Sequence, residues 1–394
     1  MKIPFLHVIG ATLLVAGTSI GGGMLALPVM TADAGFWPSL AMMALTWSFM
    51  TITALLLLEA NLWMPAGSHI ITMASRLLGP FGKALAWVLY LFMAYASLVA
   101  YTAACGDLLQ QVLPGASPWI YNLLFILVFG FVIDFGARLV GLVNALLVGG
   151  MVLAYFLLIS VGIGKIVPVY LERTHWINTL KTMPLLLTVF SFQSIVPSLT
   201  IYLKRSAKHL KIAIIVGMGF TFITYAFWQL LVLGTVPVDG NQGLKAAYEQ
   251  GLSAAASYQV AVQHPGIAFT TFLFAFFAIT TSFLGIGLGL FDFLADGFKI
   301  SKKGKGKIIL GLLIAGPTLL LATLVERIFL LALDITGAFG DTILNGILPA
   351  LMVWIGRYVQ KREGGFRVPG GKMPLIFVIA FALFVITYEF FTIT

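Results

Sequence analysis

The sequence predicts an all-α integral membrane protein with eleven transmembrane helices, of which the first and the sixth are broken near their midpoints. Three observations lead to this prediction. Of the 394 residues, 60% are hydrophobic and only 9% are charged, whereas about a quarter of an average soluble protein is charged. The Lys and Arg residues are unevenly distributed between the loops, and two apolar segments are interrupted by polar residues and proline.

Eleven apolar segments are long enough to cross a bilayer, which takes about 20 residues. Their centres lie near residues 17, 49, 96, 127, 151, 193, 222, 282, 315, 343 and 382. With a cytoplasmic N-terminus and a periplasmic C-terminus, 18 of the 23 Lys and Arg residues fall in cytoplasmic loops, as the positive-inside rule requires. The net charge of +9 is therefore explained by topology and by contact with membrane lipids, and we expect no nucleic acid partner.

The first segment contains VAGTSIGGGMLALPVM, residues 15–30, in which Gly21, Gly22 and Gly23 are followed by Pro28. Glycine in a helix interior costs about 1 kcal/mol relative to alanine, and proline costs about 3 kcal/mol. In lipid, each backbone group that a break frees costs several kcal/mol more unless protein or water satisfies it. We therefore expect this helix to stop and restart at the glycines.

A second break is expected in LTVFSFQSIVPSLTIYL, residues 187–203. When Pro197 is aligned with Pro28, the first helix corresponds to the sixth in sequence. The first ten helices then divide into two halves of five. Halves of five helices have opposite orientations in the membrane, as in transporters built from inverted repeats. We predict one membrane domain with a first repeat, a second repeat and an extra C-terminal helix at residues 5–163, 183–358 and 372–392. The alternative is two ordinary proline-kinked helices.

Several motifs resemble the hydroxy and aromatic amino acid permeases of bacteria, and most of all the tyrosine-specific ones. They are VAGTSIGGGMLALP, TALLLLE, SIVPS, TSFLGIGLGLFDFLAD and GGFRVPGGK, and the resemblance runs in order over nearly the whole chain. It implies a proton-coupled importer of aromatic L-amino acids in the inner membrane, with the leucine-transporter-type fold of the amino acid/polyamine/organocation superfamily. The chain departs from the tyrosine permeases at Gln193, where they carry histidine.

An amino acid substrate brings a carboxylate and an ammonium group. The helix N-terminus after the first break exposes unpaired amides and the positive end of a dipole. The three glycines would let the backbone approach the carboxylate closely, because no Cβ stands in the way. The freed carbonyls around Thr18, Ser19, Phe190 and Ser191 would accept hydrogen bonds from the ammonium, so that no ionised side chain needs to be buried.

Side chains of the third, sixth, eighth and tenth helices surround the break in this fold and are expected to recognise the substrate side chain. Gln193 is the most specific candidate, because a midplane amide can bond a phenol or an indole N–H. The aromatic candidates are Tyr95, Tyr101, Phe190, Phe192, Phe276, Phe277, Phe283 and Phe339. Since the chain has 32 phenylalanines, lipid-facing or core packing is the alternative for each of them.

The coupling ion is expected to be a proton by resemblance to the family. Glu59 and Asp292 are the preferred carriers, because each follows a long apolar run and would be partly desolvated. Asp107 and Asp296 are weaker candidates near predicted helix ends. Sodium-driven transporters of this fold bind their ion with hydroxyls of the eighth helix, and Thr281 and Ser282 stand at that point.

Other functions are disfavoured by the sequence. Residues 17–21 match G-x-S-x-G, the nucleophile elbow of hydrolases, but the strand that precedes such a serine is missing and the histidines fall at helix ends or in loops. A channel would need charged rings or a repeated carbonyl filter, and neither is present in the sequence. Cys105 is the only cysteine, which excludes an internal disulfide and a thiolate metal cluster. We therefore expect no enzyme, metal or cofactor, and the main alternative is a serine or threonine carrier of the same family.

Overall fold

The computed structural model describes residues 4–262, 265–325 and 327–393, and over these ranges the chain forms helices and no strand. Nine of the described helices are long and apolar enough to cross a membrane. Two shorter apolar helices, Phe5–Ser19 and Pro118–Asp134, stand where the other two spans are predicted. The all-helical membrane fold is confirmed, and the count of eleven spans stays a prediction.

The α-helices follow one another in the chain, and short 3-10 and π-helical turns interrupt or extend some of them. Within the described ranges they are α1 (Phe5–Ser19), α2 (Leu27–Thr31), α3 (Phe36–Leu62), α4 (Ile70–Val112), α5 (Pro118–Asp134), α6 (Ala137–Gly162), α7 (Met183–Val189), α8 (Val196–Tyr202), α9 (Ala207–Thr235), α10 (Leu244–Gln250), α11 (Ala254–Val262), α12 (Pro265–Phe298), α13 (Lys305–Leu324), α14 (Ile328–Ile335), α15 (Leu348–Trp354) and α16 (Met373–Ile393).

Both predicted breaks are present. The first apolar segment stops at the end of α1, continues as a 3-10 turn over Gly22–Leu25 and restarts as α2. The sixth stops at the end of α7, continues as a 3-10 turn over Gln193–Ile195 and restarts as α8. Pro28 and Pro197 each lie in the first turn of the restarted helix, where the missing proline N–H leaves no helical bond unmade.

The segment Ile328–Val359, which we call the π-containing helix, joins α14 to α15 through π-helical turns at Thr336–Ile347 and ends in further π-helical turns at Ile355–Val359. It packs against α4, α7 and α16. On the other side of the breaks, α9 packs against α1 and α3, and α12 packs against α4 and α6. The turn at the first break packs against α12 and α7, and the boundaries of the two inverted repeats stay a prediction.

A buried ion pair fixes the end of α3 to the π-containing helix. The Arg357 guanidinium donates to both oxygens of Glu59, with Nε–Oε1 and Nη2–Oε2 distances of 2.6 and 2.5 Å, and the two side chains are 3% and 1% exposed. The backbone N–H of Val368 donates to the same carboxylate at 2.7 Å. Because Glu59 is held in this bidentate pair, the geometry weighs against it as a proton carrier and favours a structural role.

We predict that Glu59→Gln lowers the free energy of unfolding by about 3–5 kcal/mol, because the Arg357 charge would stay buried without its counterion. Thermal unfolding of the purified protein in detergent measures the loss. Asp134→Asn is the matched control, since Asp134 pairs with Lys307 at 3.0 Å with both side chains a third or more exposed, and such pairs contribute less than about 1 kcal/mol. Equal losses in the two variants would contradict the structural role of the buried pair.

Candidate functional site

The first break is closely packed, and this explains its glycines. A Cβ atom on Gly22 would lie 2.7 Å from Cε1 of Tyr101 and 3.3 Å from the backbone Cα of Ile279. A Cβ on Gly23 would lie 2.8 Å from Val189 Cγ1, and one on Gly21 would collide with the Ser282 hydroxyl. The neighbouring helices α4, α7 and α12 thus lie so close to the backbone of these three glycines that a Cβ atom on any of them would clash.

A hydroxyl of α12 lies at the same break, and the ion-binding role predicted for Thr281 and Ser282 stays a prediction. The N–H of Gly22 donates to Ser282 Oγ at 3.1 Å, and that hydroxyl donates to the carbonyl of Ala278 at 3.1 Å. Thr281, which is buried, donates to the same Ala278 carbonyl at 3.1 Å. Ser282 therefore satisfies one of the backbone donors that the break sets free, and it stands between α12 and the glycines.

At the second break, the amide of Gln193 is bonded within the protein. Its Oε1 accepts from the N–H of Phe192 at 2.9 Å, and its Nε2 donates to the Met50 carbonyl at 3.2 Å and to Thr53 Oγ1 at 3.0 Å. The side chain is 1% exposed and is directed toward α3. A role for Gln193 in reading the substrate stays a prediction, and it would require the amide to exchange these partners.

Helix α9 joins the two breaks through Tyr225, a residue that the sequence reasoning did not single out. The fully buried Tyr225 hydroxyl lies 2.5 Å from the carbonyl oxygen of Ser19, the last residue of α1. It also lies 2.9 Å from the carbonyl oxygen of Val189, the last residue of α7. One O–H group is therefore shared between the buried carbonyl ends of both interrupted helices, where backbone acceptors lack a helical partner.

Two further α9 side chains hold the segment that follows the first break. Trp228 Nε1 donates to the carbonyl of Met24 at 3.1 Å, and Gln229 Nε2 donates to Thr31 Oγ1 at 2.6 Å. Trp228 is 0% exposed and Gln229 is 1% exposed. The break is thus fixed at several points along α9 and is not a loosely held kink.

A buried carboxyl group lies beside the second break on the π-containing helix. Asp341 is 0% exposed, and its Oδ1 accepts from Asn345 Nδ2 at 2.7 Å. The same amide nitrogen lies 3.0 Å from Ser191 Oγ, and the hydroxyls of Ser191 and Thr188 face the carboxyl group. Asp341 Oδ2 is buried without a hydrogen-bond partner among the described residues. The sequence held a signal for this site, because an ionisable residue inside an apolar span is a functional candidate.

The predicted aromatic residues are not gathered in one place. Tyr101 lies against Gly22, and the ring of Phe190 lies 5.2 Å from that of Tyr225. Phe192 is buried next to Gln193. These three therefore belong to the region of the breaks.

Three other aromatic candidates contact neighbouring helices. Tyr95 donates its hydroxyl to the Leu313 carbonyl of α13 at 2.9 Å, and Phe277 packs on Gly150 of α6. Phe283 packs on Phe125 of α5 with ring centroids 4.8 Å apart. Two further candidates are the partly buried side chains of Phe276 and Phe339.

Three other predicted residues have side chains that are exposed or paired elsewhere. Thr18 is exposed and donates its hydroxyl back to the Leu14 carbonyl at 2.8 Å. Asp292 accepts a hydrogen bond from Lys302 at 2.9 Å and is 51% exposed, and this bond raises the pKa of Lys302. Lys302 Nζ also lies 3.4 Å from Asp296 Oδ1. The geometry therefore weighs against Asp292 as a proton carrier and fits an interfacial charge.

Comparison with known proteins identifies the family. Residues 6–389 match the family model described as the tryptophan/tyrosine permease family. The chain belongs to this family. It is a family of transport proteins and not of enzymes, so the chain is a multi-pass bacterial membrane permease and the family resemblance seen in its motifs is confirmed.

Individual relatives of this permease cover nearly its whole length. The tryptophan-specific transport protein of Haemophilus influenzae is 32% identical over 396 residues, spanning 95% of this chain and 93% of the relative. The tyrosine-specific transport system 1 of the same organism is 32% identical over 388 residues, spanning 97% and 96%. The tyrosine permease of Enterobacter agglomerans is 26% identical and spans 95% and 93%.

A solved structure confirms the fold of the permease. The crystal structure of MhsT in complex with L-phenylalanine superposes with a TM-score of 0.64, covering 97% of this chain and 98% of that one. At 13% identity, this likeness establishes the fold alone. The predicted leucine-transporter-type architecture, with broken first and sixth segments, is therefore confirmed.

We predict that Tyr225→Phe lowers the free energy of unfolding by about 1–3 kcal/mol, because the one donor shared by two buried carbonyls at helix ends would be lost. Thermal unfolding in detergent measures the loss. Tyr155→Phe is the control, since the Tyr155 hydroxyl donates at 2.7 Å to the carbonyl of Thr224, which lies inside α9 and keeps its helical bond. An equal effect in both variants would show that Tyr225 has no special part in holding the breaks.

Proposed function

We propose that this permease imports aromatic amino acids, tyrosine and tryptophan foremost, across the bacterial inner membrane by proton symport with alternating access. The observation that carries the proposal is the pair of helix breaks joined by Tyr225 within a chain of the tryptophan/tyrosine permease family. Relatives named for tryptophan and for tyrosine transport support the substrate class, and they favour it over the serine or threonine carrier. In the predicted orientation the N-terminus is cytoplasmic and the C-terminus periplasmic.

The substrate carboxylate would bind at the glycines of the first break, and the ammonium would bind at the carbonyl ends of the two interrupted helices. In the described arrangement the Tyr101 ring lies over Gly22, the Gly22 N–H is bonded to Ser282, and Tyr225 bonds the Ser19 carbonyl. A substrate would therefore have to displace Tyr101 and take over bonds that the protein now makes with itself. Such an exchange lets one site bind and release its substrate as the helices move.

Asp341 is the proposed proton carrier in place of Glu59 and Asp292. It is buried, one of its oxygens has no partner among the described residues, and no described Lys, Arg or His forms an ion pair with it. An unpaired carboxylate in the membrane interior is costly, so a proton on Asp341 offsets that cost. Asp341 lies beside Ser191 at the second break. Substrate bound there would therefore change the stability of the protonated Asp341 carboxyl group.

We expect Gly22→Ala to weaken binding of L-tyrosine and L-tryptophan at least tenfold, or by about 1.4 kcal/mol. The new methyl group would meet Tyr101 and the backbone of Ile279, closing the space proposed for the carboxylate. Isothermal titration calorimetry on the purified protein measures the affinity. Gly17→Ala is the matched control, because a Cβ at Gly17 would meet nothing within 4 Å. Unchanged affinity in the Gly22 variant would place the substrate elsewhere.

The proposed function is tested by uptake of labelled tyrosine into proteoliposomes in sodium-free buffer, with each of the other amino acids as competitor. We expect an inward proton gradient to drive accumulation and an uncoupler to abolish it, with tryptophan the strongest competitor. Strict dependence on sodium would instead assign the coupling ion to Thr281 and Ser282. Effective competition by serine or threonine alone would favour the alternative carrier.

Asp341→Asn separates substrate binding from coupling. We expect the variant to exchange labelled for unlabelled tyrosine across the membrane while losing proton-driven accumulation, because the amide keeps a polar group beside Asn345 but cannot release a proton. Exchange and accumulation are measured in the same proteoliposome preparation. A variant that accumulates tyrosine as the native protein does would exclude Asp341 as the carrier.

A further inference from the structure

An apolar groove lies on the surface of the helical domain between α5, α12 and α13, and its volume is about 540 Å³. The rim consists of side chains that are 61–67% exposed, namely Leu127, Phe131, Ile308 and Leu312. The floor consists of side chains that are at most 9% exposed, namely Ile126, Ile133, Phe283, Phe291, Ile314 and Thr318. The groove therefore opens outward, toward the surrounding bilayer.

Two glycines keep the groove open. Gly130 of α5 and Gly311 of α13 line it, and a Cβ atom on either one would meet nothing within 4 Å. Glycine in membrane helices commonly lets two helices approach each other closely, but no described helix occupies the space beside these two. The floor offers no free hydroxyl, because Thr318 donates to the Ile314 carbonyl at 2.7 Å. The groove therefore suits a hydrocarbon chain.

The length of the groove matches one leaflet of a membrane. Its lining residues on α13 run from Lys307 to Thr318, which is about 17 Å by the rise of a helix. The hydrocarbon core of a bilayer is about 30 Å thick, so that one leaflet contributes about 15 Å. An acyl chain that lies along the groove would thus place its headgroup at the Lys307 end.

That end of the groove is polar, and its acidic groups are already paired. Lys307 Nζ lies 3.0 Å from Asp134 Oδ2, and the two side chains are 33% and 42% exposed. In the turn before α13, Lys302 Nζ lies 2.9 Å from Asp292 Oδ1 and 3.4 Å from Asp296 Oδ1. These contacts leave the aspartates partly neutralised by lysine.

Basic charge remains in excess at this end. Residues 299–307 include five lysines, against the three aspartates of these ion pairs. Lys299, Lys303 and Lys305 are exposed and form no ion pair with a described residue. Lys303 and Lys305 flank Gly304, which lines the groove. Helix α13 begins here without an acidic residue in its first turn, so the positive end of its dipole adds to the attraction for anions.

We propose that this groove binds an anionic phospholipid, such as phosphatidylglycerol, with one acyl chain against Gly130 and Gly311 and the phosphate at Lys303 and Lys305. In the predicted orientation this end is cytoplasmic, where anionic lipids attract basic residues beside a membrane span. A zwitterionic lipid could place the same tail in the groove but would gain less from the lysines. The proposal is independent of the transported substrate and of the coupling ion.

Native mass spectrometry of the delipidated, purified protein tests the site with phosphatidylglycerol and phosphatidylcholine of identical acyl chains. We expect the native protein to bind phosphatidylglycerol about fivefold more tightly, since each lysine near the headgroup adds to the attraction. Gly311→Leu places a side chain in the groove and should weaken the binding of phosphatidylglycerol roughly tenfold. Gly219→Leu is the matched control, because a Cβ at Gly219 of α9 also meets nothing within 4 Å. Native affinity in the Gly311 variant, or equal affinity of the native protein for both lipids, would overturn the proposal.

The headgroup contact is tested separately by combining Lys303→Gln with Lys305→Gln. We expect this double variant to bind both lipids with similar affinity, because the tail keeps its groove while the phosphate loses its cations. The control combines Lys208→Gln with Lys211→Gln, which removes the same charge from exposed positions near the start of α9 and should keep the native preference. A native preference in the Lys303 and Lys305 variant would contradict the proposed phosphate position.

Photo-crosslinking locates the lipid in the native protein without any substitution. The probe is phosphatidylglycerol with a diazirine in its acyl chain, reconstituted with the permease into vesicles and mapped by peptide mass spectrometry. We expect the label to concentrate in residues 126–134 and 308–318. Labelling spread evenly over the lipid-facing helices would overturn the proposal, and so would a second copy of the chain bound at the groove.

Discussion

The structure depends on one constraint, which is that backbone groups freed inside a membrane must be satisfied by the protein. Two apolar segments stop and restart in the interior, and each break leaves carbonyls and amides without helical partners. The chain meets this demand with long-range contacts. Tyr225 serves the carbonyl ends of α1 and α7, and Ser282 accepts from Gly22. The proposed binding mode follows from these contacts, because the carboxylate and ammonium of an amino acid would take the places of the two hydroxyls and leave no backbone group unpaired.

The same constraint explains why the buried carboxyl groups differ in role. Glu59 is neutralised by a bidentate arginine and a backbone N–H, so it holds the end of α3 and the loop before α16. Asp341, by contrast, has an amide and nearby hydroxyls but no cation among the described residues. An unpaired carboxylate is costly in that position, and this is the basis for proposing Asp341 as the proton carrier. Burial alone therefore does not separate a structural carboxylate from a candidate carrier, and the proposal depends on the partners of each group.

Much of the fold could be predicted from the sequence, because its signals are local. The glycines at positions 21–23, Pro28 and Pro197 mark the two breaks in an otherwise apolar pattern, and the structure has both. The partners that stabilise the breaks could not be predicted in the same way. Tyr225 lies in an ordinary apolar helix, about 200 residues from Ser19 in sequence, and nothing local indicates which backbone group its hydroxyl reaches.

The site residues show the same difference between local signals, which the sequence contains, and tertiary contacts, which it does not. The direction of the Gln193 amide depends on how the chain turns at the break, which residue spacing does not determine. Glu59 met the criterion of following a long apolar run, but its pairing with Arg357, 298 residues away, is a tertiary fact. Asp341 could have been recognised from its apolar surroundings in sequence. The preference for Glu59 and Asp292 rests on the long apolar run before each of them, and that criterion does not distinguish a carboxylate with a basic partner from one without.

Hydrogen–deuterium exchange, followed by mass spectrometry with and without L-tyrosine, tests most directly whether the two breaks form the substrate site. If the breaks bind the substrate, tyrosine slows exchange at the amides of residues 21–24 and 190–194, with little change in the lipid-facing surface of α5 and α13. Protection that falls on other helices while both breaks exchange at the rate of the free protein would contradict it.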